Sequence, residues 1–270
     1  MTELITMHTH STFCNHAKDP LSDMVQAAVD AGIAHMAATE HYPIPDELDP
    51  SKRSTMPAER LEAYIDAVRE QQKRDDIDVL LGCELDWLGK DETRALHASD
   101  FDRFDVVLGS IHFVDRWLMV SHENMSRWKS VDLEAFWKRY VELWCEAAKS
   151  DMPFTVMAHA DVVKKFSPKP EFDLEPLYEC MARAAREGGR MVEVNTSGAY
   201  AECAEYYPSP SLLQAFRAEG VACTVGTDAH CKEHIARDIE RAYDYMRAAG
   251  YTQLAVPTRG RGVRMVDLRC

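Results

Sequence analysis

Short apolar runs alternate along this chain with stretches whose apolar residues recur at helical spacing. Residues 4–8 read as a first strand. A helix follows over 20–31, with Asp19 as its cap, Pro20 at its first position and Gly32 as its stop. Residues 35–39 read as a strand that runs into Glu40-His41. A polar, proline-dotted loop over 42–57 comes next, and a connection of that length in a compact domain points to function. The pattern then predicts a helix over 58–73, a strand over 79–83 ending in Glu84, and a short helical segment over 92–101. A strand over 106–111 ends in His112. Residues 133–149 form the best patterned helix, with Phe136, Tyr140, Leu143, Trp144 and Ala147 along one face. A strand over 155–158 ends in His159, and a helix over 175–187 stops at Gly188-Gly189. The last units are a strand over 191–195, a helix over 211–218, a strand over 222–226 leading into Thr227-Asp228-Ala229-His230, and a helix over 234–248.

Seven strand–helix units imply an α/β protein with a parallel sheet and helical crossovers. Near-continuous apolar strands imply a sheet covered on both faces. The polar residues suited to chemistry sit at the C-terminal ends of nearly all the strands. In a closed barrel those ends converge on one mouth, whereas an open sheet spreads them along a line. A β/α barrel is therefore expected. No Gly/Ser run, Pro-rich tract or low-complexity segment divides the chain, so residues 1–270 are expected to form one domain.

His8 and His10 stand two apart, so an extended backbone points both the same way, and His16 follows one loop later. Neutral imidazole is a common ligand for divalent ions. The other strand ends carry His41, Glu84, His112, His159, Asp228 and His230. Seven of the eleven histidines fall in this set, which a random scatter would not produce. The remaining four, His35, His97, His122 and His234, are read as ordinary surface or core residues. Nine nitrogen and oxygen ligands exceed the needs of one ion with an open position and suit two or three. The two oxygens of Glu84 can bridge a pair. A ligand set without cysteine points to a hydrolytic centre. Clustered ions clamp the attacking and leaving oxygens of a phosphoryl transfer, with a hydroxide held between them as the expected nucleophile.

A net charge of −14 argues against nucleic acid as the main partner. It leaves room for a small anion, because divalent ions reverse the local field. No stretch is long and apolar enough to span a membrane, and residues 1–4 lack the look of a signal peptide, so the cytoplasm is expected. None of the eight cysteines forms a Cys-x-x-Cys pair. Most are read as buried thiols, with Cys14 as a packed neighbour of the first histidine loop.

His8-x-His10, Thr39-Glu40-His41, Gly82-x-Glu84, Gly109-Ser110-Ile111-His112, His159-x-Asp161 and Thr227-Asp228-Ala229-His230 resemble the motifs of the polymerase and histidinol phosphatase (PHP) family. The likeness covers almost the whole chain. The loop Cys14-Asn15-His16-Ala17, the run Tyr42-Pro43-Ile44-Pro45 and the turn Asn195-Thr196-Ser197-Gly198 look most like the monofunctional histidinol-phosphate phosphatases of that family. The resemblance implies a distorted (β/α)7 barrel with three divalent ions of zinc, iron or manganese at the strand C-termini. It implies one ion on His8, His10, Glu84 and Asp228, a second on Glu84, His112 and His159, and a third on His16, His41 and His230. It also implies hydrolysis of a small phosphorylated substrate, first L-histidinol phosphate. The alternatives are another small phosphate ester or phosphodiester, and a metal-binding barrel without catalysis.

One departure bears on substrate. Such phosphatases usually follow the turn at Gly198 with a basic residue that grips phosphate, and this chain has Ala199-Tyr200. Thr55 likewise falls where a basic residue is expected in relatives. Lys164, Lys165 and Arg53 remain as cationic candidates for substrate binding, with Ser197 and Tyr200 beside them. Asp161, or a strand-end histidine such as His230, is the candidate to protonate the leaving alkoxide.

Overall fold

Parallel strands need crossovers of a dozen residues or more, and the amphipathic stretches of this chain provide them. The computed structural model describes residues 2–50, 53–96 and 101–269. Its strands in chain order are β1 (Leu4–Thr6), β2 (Ile33–His41), β3 (Asp78–Asp86), β4 (Val106–Ser110), β5 (Phe113–Val114), β6 (Trp117–Leu118), β7 (Val156–Met157), β8 (Met191–Asn195), β9 (Cys223–Gly226), β10 (Gln253–Thr258) and β11 (Gly262–Asp267). The α-helices are α1 (Leu21–Asp30), α2 (Leu61–Gln71), α3 (Lys90–Ala95), α4 (Leu133–Lys149), α5 (Glu175–Gly188), α6 (Pro210–Ala218) and α7 (Ile239–Ala248).

Seven strands form one parallel sheet in the order β1-β2-β3-β4-β7-β8-β9. Its two edges meet. Met7 N donates to Val225 O at 2.8 Å, Asp228 N to His8 O at 2.8 Å, and His10 N to Ala229 O at 2.9 Å. The sheet is thus a nearly closed (β/α)7 barrel, as the strand ends implied. Buried aliphatic and aromatic side chains from the strands and helices form one contiguous cluster running from Ile5 to Leu268. No helix among the described residues is long and apolar enough to cross a membrane.

Several predicted boundaries move, each for a local reason. β2 and β3 run past their apolar stretches, because register pairing continues through Glu40 opposite Cys83 and His41 opposite Glu84. Asp19 does not cap α1, whose cap position is Pro20 without a side-chain bond. Asp19 instead accepts from Lys232 N at 2.9 Å, tying the first loop to the segment after β9. The final helix starts later than its pattern, because Asp238 at φ 61° interrupts it. The segment predicted over 92–101 divides into α3 and a turn at Phe101–Arg103, and residues 97–100, His97 among them, lie outside the described residues. α4 matches its predicted span, and Asp132 caps it by accepting from Ala135 N at 3.1 Å.

Two hairpins were not predicted. β5–β6 follows β4 beside the mouth. β10–β11 packs at the opposite end of the barrel. Arg259 pairs there with Asp78 at 3.1 Å, Arg264 with Glu3 at 2.6 Å, and Gly260 N with Asp105 Oδ1 at 2.8 Å. All three acids lie where barrel strands begin, so the hairpin covers the floor.

Arg190 braces the descent from α4 into β7. Its guanidinium donates to the carbonyls of Ala148 at 2.9 Å, Ser150 at 2.5 Å, Met152 at 3.0 Å and Phe154 at 2.6 Å. Arg190→Ala strips four carbonyls of a charged donor and is expected to cost about 2–3 kcal/mol of stability. A drop in the urea midpoint at constant slope is the readout, and an unchanged midpoint counts against the brace.

Candidate metal centre

The barrel ends bring the eight strand-end candidates and His16 of the first loop into one mouth, with Glu84 at the middle. Glu84 is 2% exposed. Its Oε2 lies 3.3 Å from His8 Nε2, 3.4 Å from His10 Nε2 and 3.0 Å from His41 Nδ1. Its Oε1 lies 2.8 Å from His159 Nε2 and 3.5 Å from His112 Nε2, and it accepts from Ser110 Oγ. One carboxylate therefore faces five imidazoles. Asp228 Oδ1 approaches the same cluster from after β9, at 3.3 Å from His10 Nε2 and 3.7 Å from His8 Nε2.

The ligand atoms gather into overlapping groups that could each hold an ion. His8, His10 and Asp228 form one group, His16, His41 and His230 another, and Glu84 joins His8 with His159 or His10 with His41. The hydrogen bonding of the rings tests whether a cation fits. His16 Nδ1 donates to Cys14 O at 2.9 Å and His230 Nδ1 to Asp228 O at 2.9 Å, since a carbonyl only accepts. In the neutral rings both Nε2 atoms then carry lone pairs, and these face each other at 3.0 Å. His112 likewise turns its Nε2 lone pair inward. Its Nδ1 lies 3.0 Å from Asp86 Oδ1, and its Nε2 lies 3.2 Å from His159 Nε2. Opposed lone pairs repel unless a positive charge lies between them, and a divalent ion supplies it.

The electrostatics agree. Burial lowers the pKa of His10, helped by His230 and His41. Burial also depresses His16, to about 3, and His230. These rings stay neutral, which is the ligating form. Burial acts on His8 in the same direction, but Glu193, Asp228 and Glu84 outweigh it and raise His8 well above its ordinary value. Burial disfavours the charged forms of Glu84 and Asp228, yet the surrounding imidazoles hold both well below the usual carboxylate range. The mouth thus gathers buried negative charge that calls for a cation.

A second ring of side chains orients the first, and the sequence reading did not single it out. Glu193 Oε1 accepts from His8 Nδ1, His159 N and Asn195 Nδ2, each at 2.9 Å. Asp86 holds His112 through ring and backbone, and Glu40 accepts from Ser11 N at 2.6 Å. Burial pushes Glu40 up to about 7 although Ser11 opposes it. The available signal for Glu193 and Asp86 was an acid in a strand, two residues from another site residue. Gly226 makes room for this ring, because a Cβ there would stand 2.4 Å from Glu193 Oε2 and 2.5 Å from His8 Cβ. His159 at φ 22° and Asp228 at φ 51° occupy left-handed backbone that non-glycine residues seldom adopt, a strain found at functional sites.

The mouth opens into a cleft of about 580 Å³. Among its lining are His112, His159, Asp228 and His230 from the ligand set, with Lys165, Ser197, Tyr200 and Arg237 facing them. His122 and His234, read from sequence as ordinary, also line it. A larger cleft of about 1250 Å³ beside α5 and α6 holds none of the nine ligand candidates, so the chemistry belongs to the smaller one. Of the substrate-binding candidates, Lys165 is largely buried, which lowers its pKa, and Ser197 Oγ donates to Asp228 Oδ2 at 3.2 Å. Tyr200 stands at the rim with its hydroxyl on Asp238 at 2.9 Å. Lys164, Asp161 and Arg53 do not line this cleft. Lys164 pairs with Asp161 at 3.0 Å and with Glu205 at 3.1 Å. Asp161 is fully buried and also accepts from Ser209 N at 2.8 Å. Arg53 projects outward, 3.7 Å from Glu123.

Residues 6–197 match the family model of the PHP domain. The chain belongs to the PHP domain family. It is 32% identical to a probable histidinol-phosphatase of Deinococcus radiodurans, over 85% of this chain and 87% of that one. A probable histidinol-phosphatase of Schizosaccharomyces pombe is 23% identical over 95% of this chain and 90% of its own. The PHP barrel is also similar to a solved histidinol phosphate phosphatase from Lactococcus lactis, complexed with zinc, L-histidinol and phosphate. That match has a TM-score of 0.79 at 20% identity and covers 97% of this chain and 99% of the other.

Glu193→Gln keeps the shape beside His8 but removes the charge that orients it. The variant is expected to bind zinc about ten- to hundredfold more weakly, in competition against a chromogenic chelator. Wild-type affinity would exclude Glu193 from supporting the centre.

Proposed function

We propose that this chain is a metal-dependent phosphoric monoester hydrolase that converts L-histidinol phosphate to L-histidinol and phosphate. The observation that carries the reading is the placement of Glu84 among five imidazoles, at the foot of a cleft lined by an uncommitted lysine. The relatives named for this activity support the same substrate. In this reading residues 1–270 are one catalytic domain. One ion is held by His8, His10, Glu84 and Asp228, a second by Glu84, His112 and His159, and a third by His16, His41 and His230. Zinc fits the nitrogen-rich set, and iron or manganese would fit the same ligands.

Bound ions would offset the charge of the phosphoryl oxygens and lower the pKa of water at neutral pH. The protein does the rest. Lys165 reaches the cleft without an ion pair among the described residues and is placed to meet a phosphate oxygen. Ser197 holds Asp228 against the histidines. Glu193 and Asp86 keep the rings of His8 and His112 in their ligating orientation. The leaving alkoxide needs a proton, and His230 lines the cleft, but as a ligand through Nε2 with Nδ1 on Asp228 O it would have none to give. Asp161 is spent on Lys164 and Ser209.

A second reading keeps the chemistry and changes the ester. It is favoured by one observation, that the turn after Gly198 offers Ala199-Tyr200 in place of the usual basic residue.

Phosphate release from L-histidinol phosphate by the purified, zinc-loaded protein tests the proposal. Rapid release is expected. Release from other phosphate esters only would favour the second reading, and none from any ester would leave a metal-binding barrel without catalysis. Glu84→Ala and His159→Ala are each expected to bring turnover to background. Full activity in either variant would remove that residue from the centre. Chelation should likewise abolish release and added zinc restore it, and activity that survives verified metal removal would refute metal dependence.

A further inference from the structure

The turn after β8 lacks the expected cation, yet the cleft does not. Arg237, on the approach to α7, lines it together with Lys165, Ser197, Asp228 and His230. Its guanidinium lies 3.9 Å from the ring centroid of Tyr200, stacked on the residue that follows the turn. Stacking occupies the faces of a guanidinium and leaves its edge donors free. The Arg237 Nε is buried without a hydrogen-bond partner, and the side chain forms no ion pair among the described residues. Lys164 and Arg53 are by contrast paired with acids.

The platform is itself held. The Tyr200 hydroxyl donates to Asp238 Oδ2 at 2.9 Å, and Tyr206 donates to the same oxygen at 2.9 Å. The Asp238 carboxylate is thus turned toward the tyrosines and Arg241, not toward Arg237. Thr196 Oγ1 donates to Arg237 O at 2.9 Å, which fastens the arginine backbone to the turn after β8. Of the two acids that line the cleft, Asp228 belongs to the ligand cluster and Glu202 forms no ion pair with Arg237 among the described residues.

We propose that Arg237 grips the phosphate dianion of the substrate, with Tyr200 as its stacking platform, and so replaces the basic residue absent after Gly198. The inference rests on the phosphomonoesterase reading for its substrate, but the binding of the anion can be measured without turnover. Two cations from different elements, Lys165 and Arg237, then meet the phosphoryl oxygens that face away from the ions. The guanidinium offers two parallel N–H donors to two oxygens, a match an ammonium cannot make.

The test titrates inorganic phosphate into zinc-loaded protein by calorimetry, and measures hydrolysis of L-histidinol phosphate in the same preparations. Arg237→Ala is expected to weaken phosphate binding about ten- to hundredfold, with KM raised in parallel and bound zinc unchanged. Arg237→Lys should recover only part of the loss. Tyr200→Ala should weaken binding less, and should add nothing in the Arg237→Ala background. Moving the charge back, as Tyr200→Arg combined with Arg237→Ala, should restore binding toward wild type. Wild-type phosphate affinity in both Arg237→Ala and Arg237→Lys, with zinc in place, would overturn the proposal. Failure of the wild-type protein to hydrolyse L-histidinol phosphate would instead count against the substrate reading, and the phosphate titration would still decide the role of Arg237.

Discussion

Everything at the mouth of this barrel depends on burying the Glu84 carboxylate. An isolated carboxylate taken out of water is prohibitively costly, so such a group is paired or it is neutralised. Here five imidazoles surround it, and burial keeps several of the neighbouring rings neutral. Neutral rings offer lone pairs, not charge. Glu84, Asp228 and Glu193 therefore gather buried negative charge, which raises the pKa of His8 against its burial. Cations resolve both problems at once. They compensate the carboxylates and they occupy the gaps between opposed nitrogens. Ligand chemistry and folding energetics are the same constraint in this site, since His8, His10, His41, Glu84, His112 and His159 are among the buried polar groups of the chain.

That constraint explains how the barrel distributes its stability. The bonds that join its edges run from Met7, His10 and Asp228, so the seam that closes the sheet also places two ligand-bearing segments, His8 to His10 and Asp228 to His230. The strained backbone at His159 and Asp228 sits at strand ends held by that seam and by the Glu193 bond to His159 N. The opposite end carries no such demand. The β10–β11 hairpin pairs arginines with acids at the strand starts and covers the floor, where only stability is at stake.

The ligand set was legible because it follows a simple rule. Apolar strands that end in histidine or acid, repeated around a parallel sheet, converge by topology alone, so no long-range contact had to be foreseen. The outer ring was not legible in the same way. Glu193 lies inside an apolar strand, and only the approach of His8 across the seam gives it a partner. The two hairpins escaped for different reasons. β5–β6 is too short for a period to register, and β10–β11 follows the last expected unit. The cations show the limit most clearly. Lys164 and Lys165 are adjacent in sequence and face different surroundings, one paired with Asp161 and one lining the cleft. Composition cannot tell them apart, because the difference arises from a single step along a 3-10 turn.

The same turn geometry bears on how a site can keep its chemistry while its residues change. What phosphate recognition needs is a donor fork at a place in space, not at a place in the chain. The turn after β8 and the approach to α7 are already tied by Thr196 and by the Asp238 bonds to Tyr200 and Tyr206. Two segments held that closely can exchange which of them supplies a cation, provided the other supplies a surface for it to lie on. Tyrosine suits that second part, because its ring offers a face to the guanidinium while its hydroxyl is anchored behind. An aliphatic residue at position 200 would offer neither, so the departure from the expected basic residue and the arginine of the next loop belong to one arrangement.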